Sequence, residues 1–353
     1  MKVLKENSEN FWQKLKRQKN SPIFVLAPMA DVTDAAFRRL IAARGKPDVM
    51  WTEFVSADGL IHADALGRSK LMKDLIFTEA ERPIVAQFFT SKPENMEKVA
   101  RLARELGFDG IDINMGCPDK SIEKQGAGAA LIKTPALARE IIAAAKRGAV
   151  GSSGDLSDAL PVSIKTRIGF NKNELDTWLP ALLAENPAVV TIHARTRKEM
   201  SKVPARWEEV KRAVEIRNEV QGALAADKQT LIFGNGDVKN LAEAEVRARE
   251  SGADGVMLGR AIFGNPWLFD RTKSFDSFDP TKGISIKERL ETLVEHSALF
   301  EEILGETKNF AIMKKHFKAY VNGWDGAKEL RLKLMEANAA GDVRKIIEAS
   351  GQY

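Results

Sequence analysis

The feature that most constrains this chain is a repeated alternation. Eight short apolar runs recur, with stretches of helical periodicity between them. The runs are Ile23–Ala27, Val49–Val55, Pro83–Phe89, Gly110–Asn114, Pro161–Thr166, Ala188–His193, Thr230–Phe233 and Gly255–Leu258. Several, such as IFVLA and VVTIH, are almost unbroken in apolar residues. Strands covered on both faces of a parallel sheet read that way. Between them, Pro93–Leu106 sets Met96, Val99, Leu102, Ala103 and Leu106 at helical spacing. Pro135–Lys146 follows Thr134, an expected N-cap before a helix-starting proline. Val238–Ser251 is expected to stop at Gly252. Eight strand–helix units imply an α/β fold, a (β/α)8 TIM barrel. A doubly wound sheet is the alternative. It calls for a glycine-rich turn after the first strand, and APMAD at residues 27–31 is not one.

Two segments break the rhythm. Residues 148–160 are rich in Gly, Ser and Asp and read as a surface insertion before the fifth strand. Residues 271–283 read as a linker, beyond which the strands stop. There Ser285 and Glu288 have capping-box spacing, Ile286, Leu290, Leu293 and Leu304 form one helical stripe, and Phe310, Met313, Phe317 and Tyr320 form another. The expected organisation is a basic extension over 1–22, a barrel over 23–270, the linker, and a small all-helical C-terminal domain over 284–353.

Composition narrows the function classes. No apolar run is long enough to span a membrane, and the N-terminus has no signal-peptide core. The single cysteine excludes an intramolecular disulfide and an all-cysteine metal site, and suits a reducing cytoplasm. No metal site is expected; His62, His296 and His316 lack ligand spacing and read as structural or surface residues. A net charge of +5 over 353 residues is too mild to establish a nucleic-acid partner. The chain is expected to act as a monomer.

Unusual residues gather at the C-terminal ends of the proposed strands: Pro28 and Met29, Glu53, Gln87, Asn114 to Cys117, Lys165 and Arg167, His193, Asn235 to Asp237, and Gly259 with Arg260. In a barrel these ends share one face, which carries the active site. The glycines of Gly234-Asn-Gly236 and Gly259-Arg-Ala261 let backbone N–H groups approach a phosphate, with helix N-termini near Val238 and Ala261 adding their dipoles. Arg260 offers a bidentate fork. Each glycine alone reads equally as a tight turn.

Lys165 is either a lysine snorkelling to the barrel mouth or a fixed charge beside a cofactor that turns negative on reduction, such as a flavin. Gln87 can both donate to and accept from a flavin ring edge. His193 is either a satisfied strand-end histidine or a donor to cofactor or substrate. Cys117 stands between Gly116 and Pro118. It is either a small buried hydrophobe or a thiol that protonates a carbon gaining negative charge. A thiolate nucleophile would need an activating base.

At these residues the chain resembles the tRNA-dihydrouridine synthase family. The likeness runs from about Ile23 to the C-terminus through APMADVTDAAFR, EFVSADGL, VAQFF, GIDINMGCPDKSIEKQGAGAALIK, VSIKTRIGF, IHARTR, FGNGD and LGRAIFGNPWLF. It implies an FMN-binding barrel with a helical tRNA-binding domain. The implied reaction reduces the 5,6 double bond of selected uridines in tRNA, with NADPH as reductant. By the same likeness Pro28, Met29 and Ala30 line the flavin. Gln87, Lys165, Asn235, Gly236, Asp237, Gly259 and Arg260 bind it, and Cys117 donates the proton. Asn114 and Arg195 lie near uridine or cofactor. Arg195 and Arg197 are candidates to hold flanking RNA.

From Met313 to Lys333 six basic residues face two acidic ones, with Lys314 and Lys318 opposite the Met313/Phe317 stripe, a face suited to RNA phosphates. A solvated helix surface is the simpler account of the same charges. Ala194 and Ala261 stand where the family commonly has glycine. Another FMN barrel acting on a small metabolite, of the dihydroorotate dehydrogenase type, is the competing function.

Overall fold

A computed structural model describes residues 10–19, 21–151, 154–155, 158–272 and 283–352. Much of the expected 1–22 extension, part of the 148–160 insertion and nearly all of the 271–283 linker lie outside them. Eight parallel strands are present: β1 Ile23–Leu26, β2 Met50–Ser56, β3 Ile84–Phe89, β4 Gly110–Met115, β5 Val162–Arg167, β6 Val189–His193, β7 Leu231–Asn235 and β8 Gly255–Leu258. Neighbours run β1-β8-β7-β6-β5-β4-β3-β2. A parallel bridge between Val25 and Val49, with the Leu26 N–H on the Val49 carbonyl at 3.3 Å, closes the ring. The barrel is the one expected from the strand–helix alternation.

The two faces of each strand serve different cores. Phe24, Leu26, Met50, Ile84, Ala86, Ile111, Ile164 and Ile192 pack outward in one large core with the surrounding helices. Ile23, Val25, Trp51, Val85, Val189, Leu231, Phe233 and Met257 form a second core inside the ring. The inner core also takes in Trp12, which has no exposed surface and comes from the helix Phe11–Gln18. Its ring lies 5.5 Å from that of Trp51 and 5.6 Å from that of Phe233. Lys16 pairs with Asp254 at 2.7 Å and Lys19 with Asp48. Asp254 precedes β8 and Asp48 precedes β2, so these charges serve the end of the barrel opposite the strand C-termini.

The helical periodicities hold with shifted ends. The helices run Pro93–Glu105, Pro135–Ala149 and Leu241–Ser251. The Thr134 hydroxyl turns back to the Leu131 carbonyl at 3.5 Å and does not cap its helix. Asn240 is the N-cap of the third helix, accepting from the Glu243 N–H at 2.8 Å, so that helix starts three residues later than expected. Gly252 closes it in the left-handed conformation, φ 72°.

The C-terminal segment is all helical, with helices Ile286–Leu304, Lys314–Tyr320, Ala327–Leu334 and Ala340–Glu348. Leu290, Leu293, Phe300, Met313, Phe317, Tyr320, Leu334 and Ile347 form its own core. It docks on the barrel helix Ala35–Arg44. Phe37 stacks on His296 with ring centroids 4.7 Å apart, and Phe263 stacks on His316 at 5.7 Å. No described helix is long and apolar enough to cross a membrane.

Candidate active site

Along β5, β6 and β7 the inward positions become polar toward the C-terminal end. Val189 gives way to Thr191 and His193, Leu231 and Phe233 to Asn235, and Ser163 to Lys165. There the barrel opens into a cavity of about 750 Å³. Its walls include Pro28, Met29, Lys165, His193, Arg195, Asn235, Gly236, Asp237, Gly259 and Arg260, all singled out in the sequence. Ser201, Val238 and Lys239 line it too. Val238 follows the FGNGD block directly, whereas no motif marks Ser201 or Lys239, which arrive on loops whose course the sequence does not specify.

One end of the cavity presents backbone donors. Among the described residues, the backbone N–H groups of Gly236, Asp237, Gly259, Arg260 and Ala261 meet no protein acceptor. Gly236 has φ 131°, a conformation that favours glycine. A Cβ on Gly259 would lie 3.5 Å from Ala27 and 3.6 Å from Met29, ordinary contact, so its absence leaves open space rather than relieving a clash. Gly234 is different. A Cβ there would come within 2.3 Å of the Trp207 ring, so this glycine admits a helix, not a ligand. Helix dipoles contribute less than expected. The helix after β7 starts at Leu241, and only the 3-10 turn Arg260–Ile262 follows β8. The site is a backbone nest rather than a helix end.

Asp237 organises the surrounding cations. It accepts from Arg260 Nη2 at 2.6 Å, from Arg195 Nη2, and from the Ala205 N–H at 2.9 Å. Burial alone would raise its carboxyl, but the Ala205 amide, Arg195 and Arg260 together hold it below the usual range. Arg195 is buried and gives Nε to the Val203 carbonyl at 2.6 Å and Nη1 to His193 Nε2 at 3.3 Å. A guanidinium only donates, which assigns the imidazole proton to Nδ1. Burial and the cations Arg167, Lys165, Arg195 and Arg260 hold His193 well below its ordinary pKa, so it is neutral at pH 7. Burial, and then Arg167, push Lys165 down to about 8.

Cys117 stands beside this cavity and is not among its lining residues. It is half-buried against Phe54, Phe89, Ile122 and Ala127. Its N–H donates to Asn114 Oδ1 at 2.9 Å, and its carbonyl accepts from Ala129 at 3.0 Å. Gly128 has φ 61°, and a Cβ there would lie 2.9 Å from the Cys117 carbonyl, which accounts for the glycine downstream of the thiol. Burial raises the Cys117 pKa, with Arg167 and Lys165 opposing, so the thiol is protonated at neutral pH. Arg167 is a residue whose role the sequence did not disclose. It is buried and donates Nε to the Gly116 carbonyl at 2.7 Å and Nη1 to the Thr196 and Met200 carbonyls at 3.1 Å.

The other singled-out residues are dispersed. Gln87 and Asn114 are buried beneath the mouth and bonded to each other at 3.2 Å. Ala30 is exposed next to the cavity loop. Arg197 is ion-paired with Glu123 and lies over the Phe170 ring. Lys314 and Lys318 line a separate groove of about 410 Å³ on the helical segment, with Lys315, Lys328, Arg331 and Met335. Glu53 joins the two parts of the molecule. It accepts from Lys308 Nζ at 2.7 Å and from the Asp31 N–H, just past the cavity loop. Among the described residues no group of His, Cys, Asp and Glu is placed to hold a metal ion.

A family model for dihydrouridine synthase (Dus) matches residues 25–350. The probable tRNA-dihydrouridine synthase 2 of Bacillus subtilis (strain 168) is 40% identical over 343 residues, covering 97% of this chain and 96% of the relative. A probable tRNA-dihydrouridine synthase of Staphylococcus aureus (strain COL) is 38% identical over 342 residues, covering 96% and 95%. Among solved structures, a morphinone reductase superposes with a TM-score of 0.49 at 12% identity, over 73% of this chain and 88% of that one. The chain belongs to the dihydrouridine synthase family.

Proposed function

We propose that this protein is a tRNA-dihydrouridine synthase that reduces the C5–C6 double bond of specific uridines in tRNA, with FMN as cofactor and NADPH as reductant. The observation that carries the reading is Lys165. It stands in the cavity wall and pairs in register with Asn114, three residues before Cys117, which sets its charge near the protonated thiol. A cofactor in the cavity and a proton donor beside it are then two sides of one reaction centre.

The residues fit a flavin mononucleotide. The unpartnered amides at Gly236, Asp237 and Gly259 to Ala261, with Arg260, suit its phosphate. Pro28 and Met29 offer an apolar wall, and Asn235 is fixed by its Nδ2 bond to the Met257 carbonyl at 2.7 Å. When bound, the flavin supplies the electrons for reducing the pyrimidine. Lys165 supplies the positive charge that favours its reduced form. His193, neutral and protonated on Nδ1, is available as a donor. Cys117, kept protonated by burial, delivers the proton from Sγ to the pyrimidine carbon adjacent to the one that takes the hydride. The uridine must leave its stack to reach the mouth, at a cost of a few kcal/mol.

The groove of Lys314, Lys315, Lys318, Lys328 and Arg331 supports an RNA phosphate track. The alternative, a small-metabolite barrel, gains nothing from this groove, and the family match extends through the helices to residue 350.

Cys117→Ala tests the reading. The variant is expected to fold, keep its yellow colour and lose about 10²–10⁴-fold in uridine reduction on unmodified tRNA. Near-normal turnover would refute the role of the thiol. A colourless wild-type protein that binds no FMN would refute the cofactor.

A further inference from the structure

A line of hydrogen bonds runs through the barrel interior to the Cys117 loop. It begins at Asp112 in β4, which has no exposed surface. Asp112 accepts from Gln87 Nε2 at 2.6 Å on Oδ2 and from Ser163 Oγ at 2.5 Å on Oδ1. Lys165 provides a compensating charge. An ionised carboxylate can only accept. Gln87 must therefore turn its nitrogen toward Asp112 and its oxygen toward Asn114. Asn114 then gives Nδ2 to Gln87 Oε1 at 3.2 Å and keeps Oδ1 for the N–H groups of Gly116 at 3.1 Å and Cys117 at 2.9 Å. A flipped Asn114 would set N–H against N–H, and the loop would lose its two bonds to this side chain, keeping those from Arg167 to the Gly116 carbonyl and from Ala129 to the Cys117 carbonyl.

We propose that Asp112 is a positioning residue for Cys117, acting through Gln87 and Asn114: its carboxylate sets the direction of both amides and so holds the loop that carries the thiol. Its effect on turnover rests on the proton-donor reading of Cys117; its hold on the loop does not. Burial pushes the Asp112 carboxyl up to about 6, against the bonds from Ser163 and Gln87, so it is mainly ionised at neutral pH, where this direction is needed. Asp112 touches neither the cavity nor the thiol.

The experiment is alkylation of the protein by iodoacetamide at pH 7.5, which reports on Cys117 alone because the chain has one cysteine. Asp112→Asn keeps the shape and removes the direction, since an amide can face either way. One lost hydrogen bond changes a local opening equilibrium by about 2- to 12-fold. Asp112→Asn is expected to alkylate faster by that factor. The double variant D112N/Q87E is expected to return to about the wild-type rate. The carboxylate that Q87E introduces accepts from Asn114 on one side and from the amide that D112N introduces on the other, restoring the direction. Gln87→Met cuts the line independently and is expected to match Asp112→Asn; it carries the test if Asp112→Asn does not fold. Wild-type rates in Asp112→Asn and Gln87→Met, or a double variant as fast as the single one, would overturn the proposal. Unchanged alkylation with an inactive Cys117→Ala removes the line and leaves the proton donor. The expected alkylation pattern with an active Cys117→Ala does the reverse.

Discussion

At the scale of single residues, burial and neighbouring cations set the charge state of the site. Lys165 shows this best. It is half-buried among other cations, and its pKa is down to about 8, so its charge is present at neutral pH and fades as pH rises past that value. An anionic cofactor bound beside it should follow. FMN affinity is expected to weaken above pH 8, by less than tenfold per pH unit because the phosphate lies at the glycine amides rather than on Lys165, and Lys165→Met should remove that dependence while binding more weakly at pH 7. FMN titrations by fluorescence between pH 6.5 and 9.5 read both; a parallel pH dependence in the variant would dissociate Lys165 from the cofactor. Lys165, His193 and Asn235 could be read from the sequence because inward-facing polar residues at strand ends have few purely structural uses. The partners of Asp237 could not. Its pairing with Arg195 and Arg260 joins three loops, and loop courses leave no periodicity to read. The same limit made Gly234 resemble Gly236, since only the position of the Trp207 ring separates a packing glycine from a binding one.

At the scale of elements, strand and helix identities followed from periodicity, while their ends did not. The helix after β7 begins at Leu241 because the Asn240 side chain holds the Glu243 amide. The N-terminal helix was the least legible element. The sequence marks it only as part of a basic extension, whereas Trp12 is buried in the barrel core and Lys16 and Lys19 pair with Asp254 and Asp48 at the end away from the cavity. A lone tryptophan among polar residues carries no sign of the distant strands it meets. Trp12→Ala leaves a void between Trp51 and Phe233 and is expected to cost about 3–5 kcal/mol. Urea denaturation measures it. FMN affinity well below the unfolding midpoint should stay within about twofold of wild type, because the lesion lies at the far end of the barrel. A small stability loss would mean that the helix does not plug the ring.

At the scale of the whole molecule, the seam between barrel and helices is aromatic and carries two buried histidines. His296 and His316 have ring centroids 4.6 Å apart, and among the described residues neither His316 nitrogen meets a protein partner. Burial pushes His316 down to about 3 and His296 well below its ordinary value. The unfolded chain therefore takes up protons below about pH 6.5 that the folded chain refuses, and stability present above that pH is lost as pH falls toward 3. Each histidine contributes up to ~1.4 kcal/mol per pH unit in that window. Asp112 works the other way. Its raised carboxyl binds a proton in the folded state first, so acid favours folding through it between about 4 and 6. The wild-type slope mixes these opposing effects, and a difference between variants is needed to isolate the seam. His316→Leu removes one titrating group and two unpartnered nitrogens. It is expected to be at least as stable as wild type at pH 7.5, since an unpaired buried polar atom costs rather than contributes. Between pH 6 and pH 5 its loss of stability should be smaller by ~1 kcal/mol, the share that His316 alone carries. Chemical denaturation at the two pH values gives that difference directly. Equal losses in both proteins would mean that the ring is protonated without opening the seam, and that water reaches the junction on which the helical segment rests.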